Sequence, residues 1–208
     1  MIINWYGEGC FKIQASGVTI LTDPFESSIG LTPPRFKADL IIKTLVGLPI
    51  EMSKYRAPET EAAVVVGAGE YEVKGLEISG FLLSRESNEK FVKSAYLVKT
   101  EDLKLGLLGH LSEGLEPNIV EKLEGVDALF VPAGGKPFID QEALAKLIKQ
   151  LQPKLVIPSF YKVPGLKRPT ADIKVFAKAL DQKIETQEKL TVKKKDLSEK
   201  TTLVVLKV

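Results

Sequence analysis

Apolar and polar residues alternate with a period of two through most of the first half of the chain, a spacing that predicts short strands. Phe11-Lys-Ile-Gln-Ala15 and Val18-Thr-Ile-Leu-Thr22 flank Ser16-Gly17, a two-residue turn signal that joins them as a hairpin. Residues 39–43, 62–66, 71–74, 76–83, 94–99 and 104–108 continue the pattern, rich in Val, Ile, Leu and Tyr and separated by Gly or charged turns. Residues 24–38 carry Pro24, Pro33 and Pro34 and read as a loop.

The period then changes to that of a helix. Pro117 suits the first turn of a short helix whose Ile119, Val120 and Leu123 share one face before Gly125 stops it. Residues 127–131 return to strand. From Asp140, a predicted N-cap, Leu144, Leu147, Ile148 and Leu151 fall at helical spacing until Pro153 ends the run. Leu155-Val-Ile157 reads as a buried strand, and Thr170 as the cap of a helix with Ile173, Phe176, Ala177 and Leu180 on one face. Residues 190–195 and 202–207 are expected to form a final strand pair. The alternation predicts a layered α/β (α+β) fold with sheet inside.

At 208 residues, with 44% hydrophobic and 27% charged positions, the chain is expected to form one domain spanning 1–208. No apolar run approaches the roughly 18–20 residues that a membrane span requires, and the first residues lack a signal-peptide pattern, so a cytoplasmic location is expected. A single cysteine, Cys10, excludes an internal disulfide, and a single histidine, His110, leaves little from which to build a zinc centre. With 29 basic against 27 acidic residues and 7% aromatics, nucleic-acid binding is disfavoured.

Six segments make a recognisable set: Trp5-Tyr-Gly-Glu-Gly-Cys-Phe11, Leu21-Thr-Asp-Pro-Phe25, Ala38-Asp-Leu-Ile-Ile-Lys-Thr44, Gly69-Glu-Tyr-Glu-Val-Lys-Gly75, residues 126–135, and Gln152-Pro-Lys-Leu-Val-Ile-Pro158 with Tyr161. In this order and spacing they resemble the metallo-β-lactamase superfamily, in its small single-domain branch similar to ascorbate-6-phosphate lactonase and Zn-dependent hydrolases of that fold. The resemblance implies a four-layer αββα sandwich with metals held by loops at one edge of two facing sheets.

The chain departs from that pattern at the metal positions. Where the family carries His-x-His-x-Asp-His, it has Leu45, Gly47, Pro49 and Ile50; the next family His is Leu107 and the following Asp is His110. The family's strand-end His is Phe160, and the His of its first loop is Glu8, while Asp23 is retained. Apolar side chains offer no lone pair to a cation, so no metal and no cofactor is expected.

Three polar residues are candidates for chemistry. His110 titrates near neutral pH and suits a general base, or is a loop residue bonded to backbone, Glu8 or Asp23. Asp23 is a pocket carboxylate by resemblance, or an Asx turn before Pro24. Glu8 can pair with Asp23 as an acid/base couple, or is a solvated turn residue between two glycines. Cys10 reads as a small core residue, Gly134-Gly135 as a stretch whose amides could meet an anion, Gly67-x-Gly69 as a turn, and Lys193-Lys-Lys195 as a solvated strand edge.

The expected function is therefore that of a degenerate, metal-free member of the fold, a pseudo-hydrolase that acts by binding. Its partner is a small ligand or another protein such as an active paralogue, and self-assembly is left open. The expected binding rim is Leu45, Gly47, Pro49, Ile50, Leu107, His110, Gly134, Phe160 and Tyr161. The alternative is a hydrolase of an ester, lactone or phosphoester that uses His110 with Glu8 or Asp23, and nucleic-acid binding is the weaker third reading.

Overall fold

The computed structural model describes residues 1–51, 62–100 and 102–208. Two β-sheets face each other across one large apolar cluster, with helices on the outside. Strands β1 (Ile2–Trp5), β2 (Phe11–Ala15), β3 (Val18–Thr22), β4 (Leu40–Lys43), β6 (Ala63–Val66) and β14 (Leu190–Thr191) form the first sheet, in the order β14-β1-β2-β3-β4-β6. The second sheet contains β7 (Gly69–Val73), β8 (Leu76–Leu82), β9 (Phe91–Lys99), β10 (Lys104–Leu107), β11 (Ala128–Pro132), β12 (Leu155–Ser159), β13 (Glu185–Gln187) and β15 (Thr202–Leu206). Its order is β13-β15-β12-β11-β10-β9-β8-β7, and the short β5 (Leu45–Gly47) pairs with β9.

The period-two pattern places the core. Ile20, Leu40 and Ile42 point between the sheets, whereas their neighbours Leu21 and Ile41 join Cys10 and Ala62 in a separate cluster on the outer face. Phe25, Phe36 and Ala38 cover that outer cluster, so the proline-bearing segment 24–38 acts as a lid of irregular chain over the first sheet.

Helices α1 (Pro117–Leu123), α2 (Gln141–Leu151) and α3 (Ile173–Leu180) follow strands of the second sheet. The α2 stripe of Leu144, Leu147, Ile148 and Leu151 is buried, and Asp140 caps the helix by accepting hydrogen bonds from the amides of Glu142 and Ala143. The cap of α3 is Asp172, two residues beyond the expected Thr170. The Thr170 hydroxyl is engaged elsewhere, donating to the carbonyl of Phe160 at 2.6 Å. Nor do the last strands pair with one another: β14 joins β1, and β15 runs parallel between β12 and β13. The lysines at 193–195 lie outside strands, at a 3-10 turn over Lys194–Asp196 from which the Lys194 ammonium reaches the buried Asp127 carboxylate at 2.6 Å.

Strand direction sets where chemistry can gather. β3, β4 and β6 are mutually parallel, as are β10, β11 and β12, so the loops leaving their C-terminal ends meet at one edge of the sandwich.

Candidate functional site

Each of those strand ends delivers one side chain. Asp23 follows β3, Thr44 follows β4, His110 lies three residues beyond β10, and Phe160 follows β12. Residues 6–10, between β1 and β2, complete the edge. The Thr22 hydroxyl donates to the Gly9 carbonyl at 2.6 Å and accepts from the Phe11 amide at 3.0 Å, which fixes this loop against β3.

Asp23 and His110 do come together, through a residue that the sequence did not single out. The Thr44 hydroxyl lies 2.6 Å from Asp23 Oδ2 and 2.7 Å from His110 Nδ1, while the direct separation of Asp23 Oδ2 and His110 Nδ1 is 3.7 Å. The second carboxylate oxygen, Asp23 Oδ1, accepts the Thr44 backbone amide at 2.8 Å. A carboxylate can only accept, so the single hydroxyl proton of Thr44 is given to Asp23. The hydroxyl then accepts from His110, which places the imidazole proton on Nδ1 and leaves the Nε2 lone pair bare. No described residue is hydrogen-bonded to Nε2. Gly109 is what permits this approach, since its φ of +49° and lack of a side chain make room where a Cβ would stand 2.1 Å from the Thr44 hydroxyl oxygen.

The electrostatics favour a base. The His110 side chain is 21% exposed and Asp23 only 5%. Burial holds the imidazole below its ordinary pKa of 6.5; the Asp23 charge opposes this, and the cations of Lys43, Lys93 and Arg168 reinforce it. At neutral pH the ring is therefore uncharged, the form that can accept a proton.

Glu8 does not pair with Asp23. Arg168, also unforeseen, takes both of its carboxylate oxygens at 3.1 Å through Nη2 and donates from the same nitrogen to the Phe160 carbonyl at 3.0 Å. Burial raises the Glu8 pKa and the guanidinium pulls against that rise. The expected acid/base couple thus resolves into two separate pairs because an arginine from the loop after β12 reaches Glu8 first.

Of the expected apolar rim, Leu107 and Phe160 line a cavity of about 10 Å³ together with Asp23, Thr44, Gly9 and Gly109, room for roughly one water. Phe160 fills the rest of the space. Its ring stands 4.8 Å from His110 and 4.4 Å from Phe138, and the Arg168 guanidinium lies over Phe138 at 5.0 Å. Gly134 packs against the Phe160 carbonyl, and a Cβ there would come within 2.1 Å of it. Tyr161 points away, donating its hydroxyl to the Leu206 carbonyl at 2.7 Å and packing on Trp5. Leu45 and Gly47 are spent on pairing with β9, and Pro49 and Ile50 do not line this cavity; Ile50 is exposed. Cys10 is buried and its thiol pKa is driven up by burial, which agrees with a core residue.

Three non-glycine residues at this edge adopt positive φ: Glu8 at 49°, Asp23 at 35° and Phe160 at 60°. Such conformations cost roughly 1–3 kcal/mol each and concentrate at functional sites. Hydrogen bonds from the Thr170 hydroxyl and Arg168 Nη2 to its carbonyl hold Phe160 in its strained position.

A model of the beta-lactamase superfamily domain matches residues 2–159. The chain belongs to the metallo-β-lactamase superfamily. Within that superfamily it is similar to a UPF0173 protein of Pyrococcus abyssi, 25% identical over 185 residues that cover 79% of this chain and 85% of the relative. It is likewise similar to a UPF0173 metal-dependent hydrolase of Hyperthermus butylicus, 25% identical over 189 residues covering 76% and 82%. Among solved structures, a candidate Zn-dependent hydrolase of the metallo-β-lactamase superfamily from Thermotoga maritima superposes with a TM-score of 0.81 at 26% identity, covering 99% of each chain.

These relatives overturn the expectation of a degenerate protein that acts by binding alone. Proteins alike over most of their length are named metal-dependent hydrolases, so loss of family residues at several positions is no warrant for loss of catalysis. Their names imply a metal. Among the described residues, however, no group of three or more His, Cys, Asp or Glu side chains stands where it could hold one. The site offers one imidazole, engaged at Nδ1, and one carboxylate with both oxygens occupied. The described residues do not fit such a group.

Proposed function

We propose that this protein is a hydrolase of an ester, lactone or phosphoester in which His110 is the general base. The observation that carries the reading is the chain of contacts from Asp23 through the Thr44 hydroxyl to His110 Nδ1, at 2.6 and 2.7 Å. The names of its relatives support the reaction class.

In this mechanism His110 Nε2 takes a proton from a water molecule as the water oxygen bonds to the carbonyl carbon or phosphorus. The proton then passes from Nε2 to the departing alkoxide, so the bond to the leaving group breaks with charge balanced. Asp23 supports the transient imidazolium through Thr44 and keeps the ring in the tautomer that exposes Nε2. Phe138 and Phe160 flank the imidazole with apolar surface, which limits water around the reacting proton and suits an organic group on the substrate.

A positioned general base contributes about 10²–10⁴-fold to rate. The test is turnover of a panel of aryl esters, lactones and phosphodiesters by the purified protein and by His110→Ala. Loss of at least about a hundredfold in kcat on one substrate class is the expected result. Equal turnover by both proteins on every class that reacts contradicts the reading.

A further inference from the structure

We propose that the buried Glu86 carboxylate, together with Lys93, is a positioning group for His110, holding the turn that carries the imidazole from its downstream end. The inference rests on the reading of His110 as the working base and concerns residues that the resemblance does not touch.

The turn over residues 108–112 is held at both ends. Upstream, the Leu108 amide donates to the Phe130 carbonyl of β11 at 3.0 Å. Downstream, Glu86 Oε2 accepts from the Ser112 amide at 2.7 Å and from the Ser112 hydroxyl at 2.6 Å, and Oε1 accepts from the Glu113 amide at 2.8 Å. Lys93 of β9 closes the cluster, 3.0 Å from Glu86 Oε2 and 2.7 Å from the Ser112 hydroxyl. The Glu86 side chain is 2% exposed and that of Lys93 14%, so these are desolvated, charge-assisted bonds.

A buried ion pair is a poor device for stability alone, since apolar side chains of similar size commonly serve as well. What the carboxylate does here is accept three hydrogen bonds from two consecutive residues, which no apolar side chain can imitate. Those residues begin two positions beyond His110. Between them and the imidazole lies Leu111, whose amide donates to the Leu108 carbonyl at 3.2 Å and whose carbonyl accepts from the Ile139 amide at 3.0 Å. The imidazole must meet the Thr44 hydroxyl within hydrogen-bond range, and a misplacement of about 1 Å can cost about a hundredfold in rate.

The second link is charge. The charged groups bearing on His110 are Asp23, which raises its pKa, and Lys43, Lys93 and Arg168, which lower it. Arg168 is compensated by Glu8 and Lys93 by Glu86. Replacing Lys93 with Gln removes one of the cations and moves the imidazole pKa up.

One histidine in 208 residues makes this measurable without ambiguity, because the imidazole ¹⁵N and ¹H signals belong to His110 alone. The experiment titrates His110 by NMR in the full-length protein, Glu86→Gln, Lys93→Gln and Ser112→Ala, and measures kcat and KM on whichever substrate the wild type turns over. The expected outcome is a raised His110 pKa in Lys93→Gln, loss of a single fixed tautomer in Glu86→Gln, and a fall in the kcat of Glu86→Gln of about ten- to a hundredfold with KM little changed. Ser112→Ala removes the hydroxyl contacts to Glu86 and Lys93 while keeping the two amide bonds, and serves if Glu86→Gln does not fold, with partial loss of the fixed tautomer and a few-fold fall in kcat expected. Unchanged tautomer, titration and kcat in the folded variants overturn the proposal and leave Glu86 a packing group. If the wild type hydrolyses nothing in the panel yet the imidazole responds as described, the hydrolase reading fails and the positioning role stands.

Discussion

Thr44→Val is the most informative single change, because it removes one oxygen at nearly constant volume from the middle of the site. Two bonds disappear. The 2.6 Å bond to the Asp23 carboxylate is of the charged kind, worth about 1.5–3 kcal/mol, and the 2.7 Å bond to His110 is worth about 0.5–1.5 kcal/mol. Asp23 keeps its bond to the Thr44 amide, and the added methyl recovers part of the loss by apolar burial, so a net destabilisation of about 2–4 kcal/mol is expected. For a chain of this size each kcal/mol shifts the unfolding midpoint by about 2–4 °C, which puts the variant about 9 °C below the wild type. Without the hydroxyl, His110 has no acceptor at Nδ1 except Asp23 itself, 3.7 Å away. The ring is expected to move toward that carboxylate with a raised pKa and to lose its exposed, bare Nε2. Turnover is then expected to fall about a hundredfold, while Thr44→Ser, which keeps the oxygen, retains most of it. The assay is calorimetric unfolding alongside ester turnover. A Thr44→Val protein with unchanged melting and turnover refutes the chain of contacts as the working unit.

Other expectations follow from the same geometry. The depressed pKa of His110 means that the unfolded chain binds a proton near pH 6.5 while the folded chain does not. Stability is therefore complete above pH 6.5, declines as pH falls below it, and the decline ends once pH passes the folded-state pKa; chemical denaturation of wild type and His110→Gln between pH 5 and 8 reveals it as a difference in slope. Arg168→Met strands the Glu8 carboxylate, and with both side chains partly exposed a cost of about 1–2 kcal/mol is expected, partly relieved in the double variant with Glu8→Gln. Urea unfolding of the three proteins measures the coupling. Gly109→Ala forces a Cβ into the Thr44 side chain at a positive φ, and a loss of about 2–4 kcal/mol with parallel loss of turnover is expected by the same assays.

Legibility in the sequence followed the range of the interaction. The hairpin of β2 and β3, the face of α2 and its Asp140 cap are local patterns, and they appear where periodicity places them. The pairing of β14 with β1 joins residues almost the full chain apart, and a two-residue strand has no period to read. Thr170 illustrates competition: its composition suits a helix cap, but the carbonyls of Phe160 and Gly134 claim its hydroxyl and the cap passes to Asp172. Asp23 and His110 stood out as polar groups at an edge otherwise rebuilt from apolar residues. Thr44 did not, since a hydroxyl at a strand end carries no signal until its two neighbours are placed. Arg168 reaches Glu8 across 160 positions and was equally invisible. Apolar residues at several family positions do not empty this edge of polar groups: Asp23, Thr44 and His110 keep a connected set of contacts there, which residue type alone does not reveal.

The pH dependence of ester turnover, measured with the NMR titration of His110 in the same preparation, bears most directly on the claim that this imidazole is the base. The acid limb of the rate profile is expected to coincide with protonation of His110, below the ordinary 6.5, and His110→Gln to abolish that limb together with the activity. A rate that ignores the protonation of His110, or a His110→Gln protein with wild-type turnover, contradicts that claim.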